Sequence, residues 1–233
     1  MNVHLYKRTT MHYLQLQEMN IHQFPPWNLQ GDGFILNYWV SPSFIKQASD
    51  FYLAPSPLGR VIQVMLVRYQ NSPVGPYDEL LILDHPLLSK RRLSSIPKIY
   101  VSTLESVVHG QHLWGIPKQL ARFEWTEDTT YLKCKITVDQ ESMTININRP
   151  KSAQRFYINS HHIPNSMLSI HQAWKGKRYQ FSPKFRGHLS KIKNVEWQHT
   201  GQIFPDFTKA RYLQSFYVPN FSLIFPEARI NKK

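Results

Sequence analysis

Between residues 132 and 138 the chain alternates strictly: Leu132, Cys134, Ile136 and Val138 are apolar, while Lys133, Lys135 and Thr137 are polar. A period of two belongs to a strand with one face buried and one wet; wound into a helix, the same residues would scatter round every side. Met143, Ile145 and Ile147 repeat the pattern after a polar turn at 139–142, and residues 120–125 precede it across a turn at 126–130. Further strand-like runs occupy residues 34–40, 60–69, 78–84, 97–103, 155–158, 189–197 and 212–218. Many short strands, with no regular alternation of strand and helix, predict a β-rich α+β fold with a few short helices, closed into a barrel or cone.

The 233 residues, 42% hydrophobic and 18% charged, are enough for one sizeable core, so residues 23–233 are expected to form a single domain. Residues 1–22 mix polar and apolar positions without period and read as a flexible arm. Phe24-Pro25-Pro26-Trp27 forces extended backbone, because residues before proline are pushed out of the helical region. Gly31-Asp32-Gly33 predicts a turn. Ser41-Pro42 opens a helix whose apolar face, Phe44, Ala48 and Phe51, carries it to about residue 52. Two prolines between Asn71 and Tyr77 demand a tight connection. Ser102-Thr103-Leu104-Glu105 fits a capping box, and the helix it starts should finish near Gly110 or Gly115, leaving Lys118 in a proline-stiffened loop.

Composition removes several classes of function. Cys134 is the single cysteine, so neither an intrachain disulfide nor a cysteine-based zinc site can form, and its place in the alternating strand makes it a core residue. The aliphatic runs fall far short of the roughly 20 residues a membrane-spanning helix needs. No apolar stretch with a cleavage site stands near the N-terminus, and the expectation is a soluble cytoplasmic protein. Against 15 acidic residues stand 28 basic ones, a net charge of +13 that attracts anions. Lysine and arginine cluster at Lys90-Arg91-Arg92 and again from Lys175 to Lys193, where Trp174, Tyr179 and Phe181 are interleaved and could stack on bases. Without an RNA-recognition pattern or a Cys/His finger, a solvated basic face is preferred to a specific nucleic-acid site. The eleven histidines include no helical pair with an intervening glutamate, so no metal is expected. The Gly-x-Ser-x-Gly elbow, the phosphate loop and the dinucleotide fingerprint are all missing.

Lysines and carboxylates remain. Lys118 follows Gly115-Ile116-Pro117, with Trp114 and Leu120 on its flanks. A lysine becomes a nucleophile when its pKa falls far enough for neutral amine to exist near pH 7, and an apolar wall is one means. Read alone, a lysine after a proline turn is more often an ordinary surface residue than a nucleophile. Glu79, directly after a rigid Gly-Pro-Tyr turn, stands apart from any solvated acidic run, although a lone carboxylate is most often structural.

Read together, Pro73-Val-Gly-Pro-Tyr-Asp-Glu-Leu80 and the later Gly110-x-x-x-x-Gly-Ile-Pro-Lys118 resemble the acetoacetate decarboxylase superfamily in sequence and order, as does the C-terminal block from Val218 to Ile230. The resemblance covers roughly residues 24–230. It implies a cone-like domain that assembles into homo-oligomers and a Schiff-base lysine acting on a small keto acid or related carbonyl compound, without cofactor. On matching positions the lysine is Lys118 and the acid is Glu79. The sequence departs from the pattern at several points. The second lysine expected directly after the Schiff-base residue is Gln119, so desolvation has to do more. Gln111-His112 replaces an Arg-Glu pair, and the arginine expected near the Gly31-Asp32 turn is missing, so Arg68 becomes the candidate cation for a substrate carboxylate. Tyr77, Gln111, His112, Trp114 and Gln119 complete the candidate substrate contacts. The retained lysine implies an imine without saying which bond breaks; a degenerate member that only binds a carbonyl or anionic ligand is the alternative.

Overall fold

The computed structural model describes residues 20–85, 94–148, 155–199 and 201–232. In chain order the elements are β1 (Trp27–Val40), α1 (Pro42–Gln47), β2 (Arg60–Asn71), β3 (Tyr77–Asp84), β4 (Ser95–Val101), α2 (Leu104–Trp114), β5 (Lys118–Leu120) and β6 (Arg122–Glu127). They continue with β7 (Tyr131–Val138), β8 (Glu141–Asn148), β9 (Arg155–Asn159), α3 (Asn165–Leu168), β10 (Ile170–Trp174), β11 (Lys177–Phe181), β12 (Lys184–Ile192), β13 (Val195–His199), β14 (Arg211–Phe225) and β15 (Arg229–Lys232). Eight strands pair in the order β5-β4-β3-β2-β1-β14-β12-β9, four in the order β13-β8-β7-β6, and three in the order β10-β11-β15. The fold is the expected β-rich α+β class, but among the described residues the strands pair as open sheets and none closes into a barrel.

Strand parity divides the large sheet into two buried faces. On β2, Ile62, Val64 and Leu66 point one way, with Leu80 and Ile82 of β3, into a core shared with Cys134, Ile136, Ile145 and Ile147 of the four-stranded sheet. On the same strands Met65, Val67, Tyr69, Tyr77, Leu81 and Leu83 point the other way, towards α2 and the three-stranded sheet. Both faces being covered, these runs are apolar throughout and do not alternate. A buried bidentate pair, Arg60 to Asp84 at 2.8 and 2.7 Å, ties the start of β2 to the end of β3.

Several expectations need correction. Gly31-Asp32-Gly33 is no turn: it lies inside β1, where the register against β14 slips by a bulge. A Cβ on Gly31 would sit 2.1 Å from the Arg68 carbonyl oxygen, so the glycine answers a close backbone approach. Asp32 fills the bulge, accepting from the Asn220 N–H at 2.8 Å and from Gln70 at 3.0 Å. α1 has the predicted cap, Ser41 Oγ accepting from Phe44 N–H, but stops at Gln47; Ser49 and Asp50, poor helix-interior residues, tighten the chain into a 3-10 turn that ends with Tyr52 at φ 56°. The predicted strand 189–197 is two strands in different sheets, β12 and β13. One crossover was also unforeseen: β4, α2 and the parallel β5 form a strand–helix–strand unit, so Lys118 opens a short strand instead of lying in a loop. The helix cap is Thr103, one residue later than read, because Ser102 Oγ is taken by the Asp78 N–H. The arm predicted over 1–22 lies outside the described residues up to residue 19, and so does Lys90-Arg91-Arg92. From Lys175 onward, Tyr179 and Phe181 are buried while Lys175, Lys177 and Arg178 are exposed, so those two rings are not available for base stacking.

The two β1 glycines should respond differently to alanine. Gly31→Ala forces backbone apart and should cost about 1–3 kcal/mol; Gly33→Ala meets only the Phe221 ring edge at 3.3 Å, which a small ring movement relieves. Thermal unfolding of both variants checks this, and equal melting temperatures would contradict the bulge account.

Candidate active site

The β4-α2-β5 unit builds the site. α2 ends at Gly115, whose φ of 61° lets the chain reverse, and the Lys118 N–H donates to the Ile116 carbonyl at 2.7 Å around Pro117. Gln111 Nε2 donates to the Lys118 carbonyl at 2.8 Å, so the helix grips the first residue of β5. The Lys118 side chain then runs back across α2 over Gly110, where a Cβ would lie 2.5 Å from Cδ and 2.8 Å from Cε. Gly110 is therefore a groove for the lysine stem inside the helix and not the helix stop.

Lys118 and Glu79 are each 5% exposed. Lys118 Nζ donates to Glu79 Oε2 and to Ser106 Oγ, both at 2.9 Å, and lies 5.0 Å from the centre of the Tyr77 ring. Tyr69 donates to the other Glu79 oxygen, Oε1, at 3.2 Å. Burial, reinforced by the Glu79 charge, pushes both the Tyr69 and Tyr77 phenols well above the ordinary tyrosine range, so each keeps its proton at neutral pH. Behind the cluster, His109 is fully buried. Its Nδ1 faces the Glu105 carbonyl at 2.9 Å and its Nε2 accepts from the His22 N–H at 3.3 Å, while desolvation lowers its pKa and keeps the ring neutral.

The cluster lies at one end of a cavity of about 410 Å³. Its walls are predominantly apolar, with Trp27, Leu81, Ile99, Trp114 and Phe221 among them. Lys118, Glu79, Tyr69, Tyr77, Gln63, His85 and Ser160 are the polar exceptions. His85 is held neutral at physiological pH by burial. A nucleophile of this kind, with a carboxylate and a hydroxyl in hydrogen-bond reach, can exchange a proton with either while facing an apolar space.

The structure brings four of the predicted residues to the cavity: Lys118, Glu79, Tyr77 and Trp114. Four others lie outside its lining. Arg68 has the parity of Leu66, so it points to the opposite face of the sheet, where it pairs with Glu127 and lies 4.7 Å from the Trp125 ring centre. It is not placed to hold a substrate in this cavity. His112 is exposed on α2, and Gln111 acts on the backbone of Lys118. Gln119, one residue along β5, faces away and accepts from Lys98 Nζ at 2.6 Å. A charge at position 119 would thus sit on the far side of the strand from Lys118. Sequence reading missed Tyr69 and Ser106. Tyr69 was findable, being the register partner of Tyr77 across the hairpin; Ser106 was findable one helical turn before Gly110.

Gly110→Ala separates fold from site. Alanine is favoured over glycine in a helix interior by about 1 kcal/mol, which offsets the crowding, so the melting temperature should shift by only about 4 °C or less. A crystal structure of the variant should nevertheless show Lys118 Nζ drawn out of hydrogen-bond range of Glu79. An unmoved lysine would contradict the groove.

The family model for acetoacetate decarboxylase matches residues 15–199. No curated protein sequence matches the chain. Among solved structures, the acetoacetate decarboxylase of Legionella pneumophila aligns over 91% of this chain and 90% of its own, with a TM-score of 0.69 at 11% identity. An acetoacetate decarboxylase-like enzyme from Sphingomonas wittichii aligns over 91% and 95%, with a TM-score of 0.63 at 9% identity. The enduracididine biosynthesis enzyme MppR, in its complex with pyruvate, aligns over 91% and 93%, with a TM-score of 0.56 at 14% identity. At these identities the structural likeness speaks for the fold alone, whereas the family model spans most of the chain: this protein belongs to the acetoacetate decarboxylase family.

Proposed function

We propose that the protein is a lyase-type enzyme in which Lys118 forms a Schiff base with a carbonyl compound and Glu79 moves the protons. The supporting observation is the buried Lys118–Glu79 contact opening onto an apolar cavity. A buried ion pair adds little to stability over an apolar pair of the same volume, so its retention in a cavity wall favours chemistry over support.

The steps balance around Glu79. The carboxylate takes a proton from Lys118, and the neutral amine attacks the carbonyl carbon. A second nitrogen proton moves to the carbinolamine oxygen, assisted by Ser106; Glu79 then returns the first proton to that oxygen, and water leaves. The product is a protonated imine whose positive charge lies where the ammonium was, still beside the Glu79 carboxylate. Imine formation thereby leaves no buried charge without its counter-ion. The imine then draws electrons from the adjacent carbon, which can lose carbon dioxide or a proton, or take part in aldol or dehydration chemistry. Tyr77, protonated, can donate to an oxygen of the bound compound, while the Tyr69 proton stays on Glu79 Oε1. Residues 23–233 are read as one domain, and the exposed Phe156, Tyr157 and Ile158 on the edge strand β9 support assembly with further copies.

Imine formation exchanges a ketone's oxygen with water. The wild-type protein should therefore speed loss of oxygen-18 from a labelled ketone, Lys118→Gln should abolish the acceleration, and Glu79→Gln should reduce it by about 10²-fold or more. Label loss at the wild-type rate in Lys118→Gln would overturn the assignment. No label loss in the wild type would favour a protein that binds its ligand without turnover.

A further inference from the structure

Parity and register lay a continuous apolar floor leading away from Lys118. On β5, Lys118 is the register partner of Ile99; Ile99 pairs with Leu81, Leu81 with Met65, and Met65 with Ile35. All five residues line the cavity. Four inter-strand steps of about 4.8 Å carry this row roughly 19 Å across the sheet. In the neighbouring row Glu79 pairs with Val67 and Val67 with Gly33, over which the edge of the Phe221 ring packs. Charge is confined to one end: among the described residues lining the cavity, Lys118 and Glu79 are the charged pair, and each already satisfies the other. A substrate carboxylate placed beside the carbonyl would find no cation of its own among these described residues, and an unpaired buried charge is strongly disfavoured.

We infer that the carbonyl compound taken by Lys118 is a ketone or aldehyde carrying an extended, uncharged apolar chain that lies along the Ile99-Leu81-Met65-Ile35 row, and not a small keto acid. This rests on the Schiff-base reading for the carbonyl end alone; the chain end is a property of the floor. The burial of each added methylene should tighten binding about fourfold until the row is filled.

Two sets of ligands separate the claims. Hexanol, octanol and decanol cannot form imines; their binding, followed by the fluorescence of Trp27 and Trp114 in the cavity wall, should tighten about fourfold per methylene. Ile35→Trp, at the far end of the row, should shrink the ratio between decanol and hexanol. Acetone, methyl hexyl ketone and methyl nonyl ketone then report on chemistry through oxygen-18 loss, with half-saturation for methyl nonyl ketone at least about 100-fold below that for acetone. Chain-dependent alcohol binding with no label loss from any ketone would uphold the apolar chain while removing the Schiff base. Equal half-saturation for acetone and methyl nonyl ketone, alcohol affinities that ignore chain length, or a matched long-chain β-keto acid binding tenfold more tightly than the ketone would overturn the inference. An unchanged alcohol ratio in Ile35→Trp would overturn the placement along this row.

Discussion

Lys118 Nζ and the Glu79 carboxylate meet at 2.9 Å in a wall that is otherwise predominantly hydrocarbon, and much of the site follows from keeping them together. Neither group could be buried alone at tolerable cost, so each needs the other and each needs its remaining hydrogen-bonding capacity filled. Ser106 takes one proton of the lysine and Tyr69 serves the second carboxylate oxygen. The partners come from four separate elements: β2 supplies Tyr69, β3 supplies Glu79, α2 supplies Ser106 and β5 supplies Lys118. The single β4-α2-β5 crossover lets the helix and the edge strand converge, and Gly110 gives the lysine stem a path across the helix.

The second constraint is parity. A strand covered on both sides sends neighbouring residues to different destinations, and in β2 and β3 those destinations are a filled core and a cavity. The same rule that brings Glu79 and Tyr77 beside Lys118 sends Arg68 to Glu127 and Trp125. It also turns Gln119 away from Lys118, so the environment of the lysine is made by α2, β2 and β3 and not by its sequence neighbour.

The sequence made the fold class legible through alternation, since Leu132 to Val138 could only be a half-buried strand and Cys134 only a core residue. Lys118, Glu79, Tyr77 and Trp114 were legible through local motif. Arg68 was misread because its place at a strand end was considered without its face, and register is fixed only when both strands of the hairpin are aligned. Gly31-Asp32-Gly33 has the composition of a turn, yet composition cannot distinguish a chain reversal from a bulge that another backbone crowds. Tyr69 escaped notice because it joins the site only when the β2–β3 hairpin is put in register, and Ser106 because it does so only when α2 docks on the large sheet.

Borohydride reduction in the presence of methyl nonyl ketone, followed by peptide mapping, tests the central claim most directly. An imine at the buried amine should appear as one secondary amine, on Lys118, with the other lysines unmodified. Modification scattered over exposed lysines, or none at a ketone concentration that saturates the cavity by tryptophan fluorescence, would contradict it.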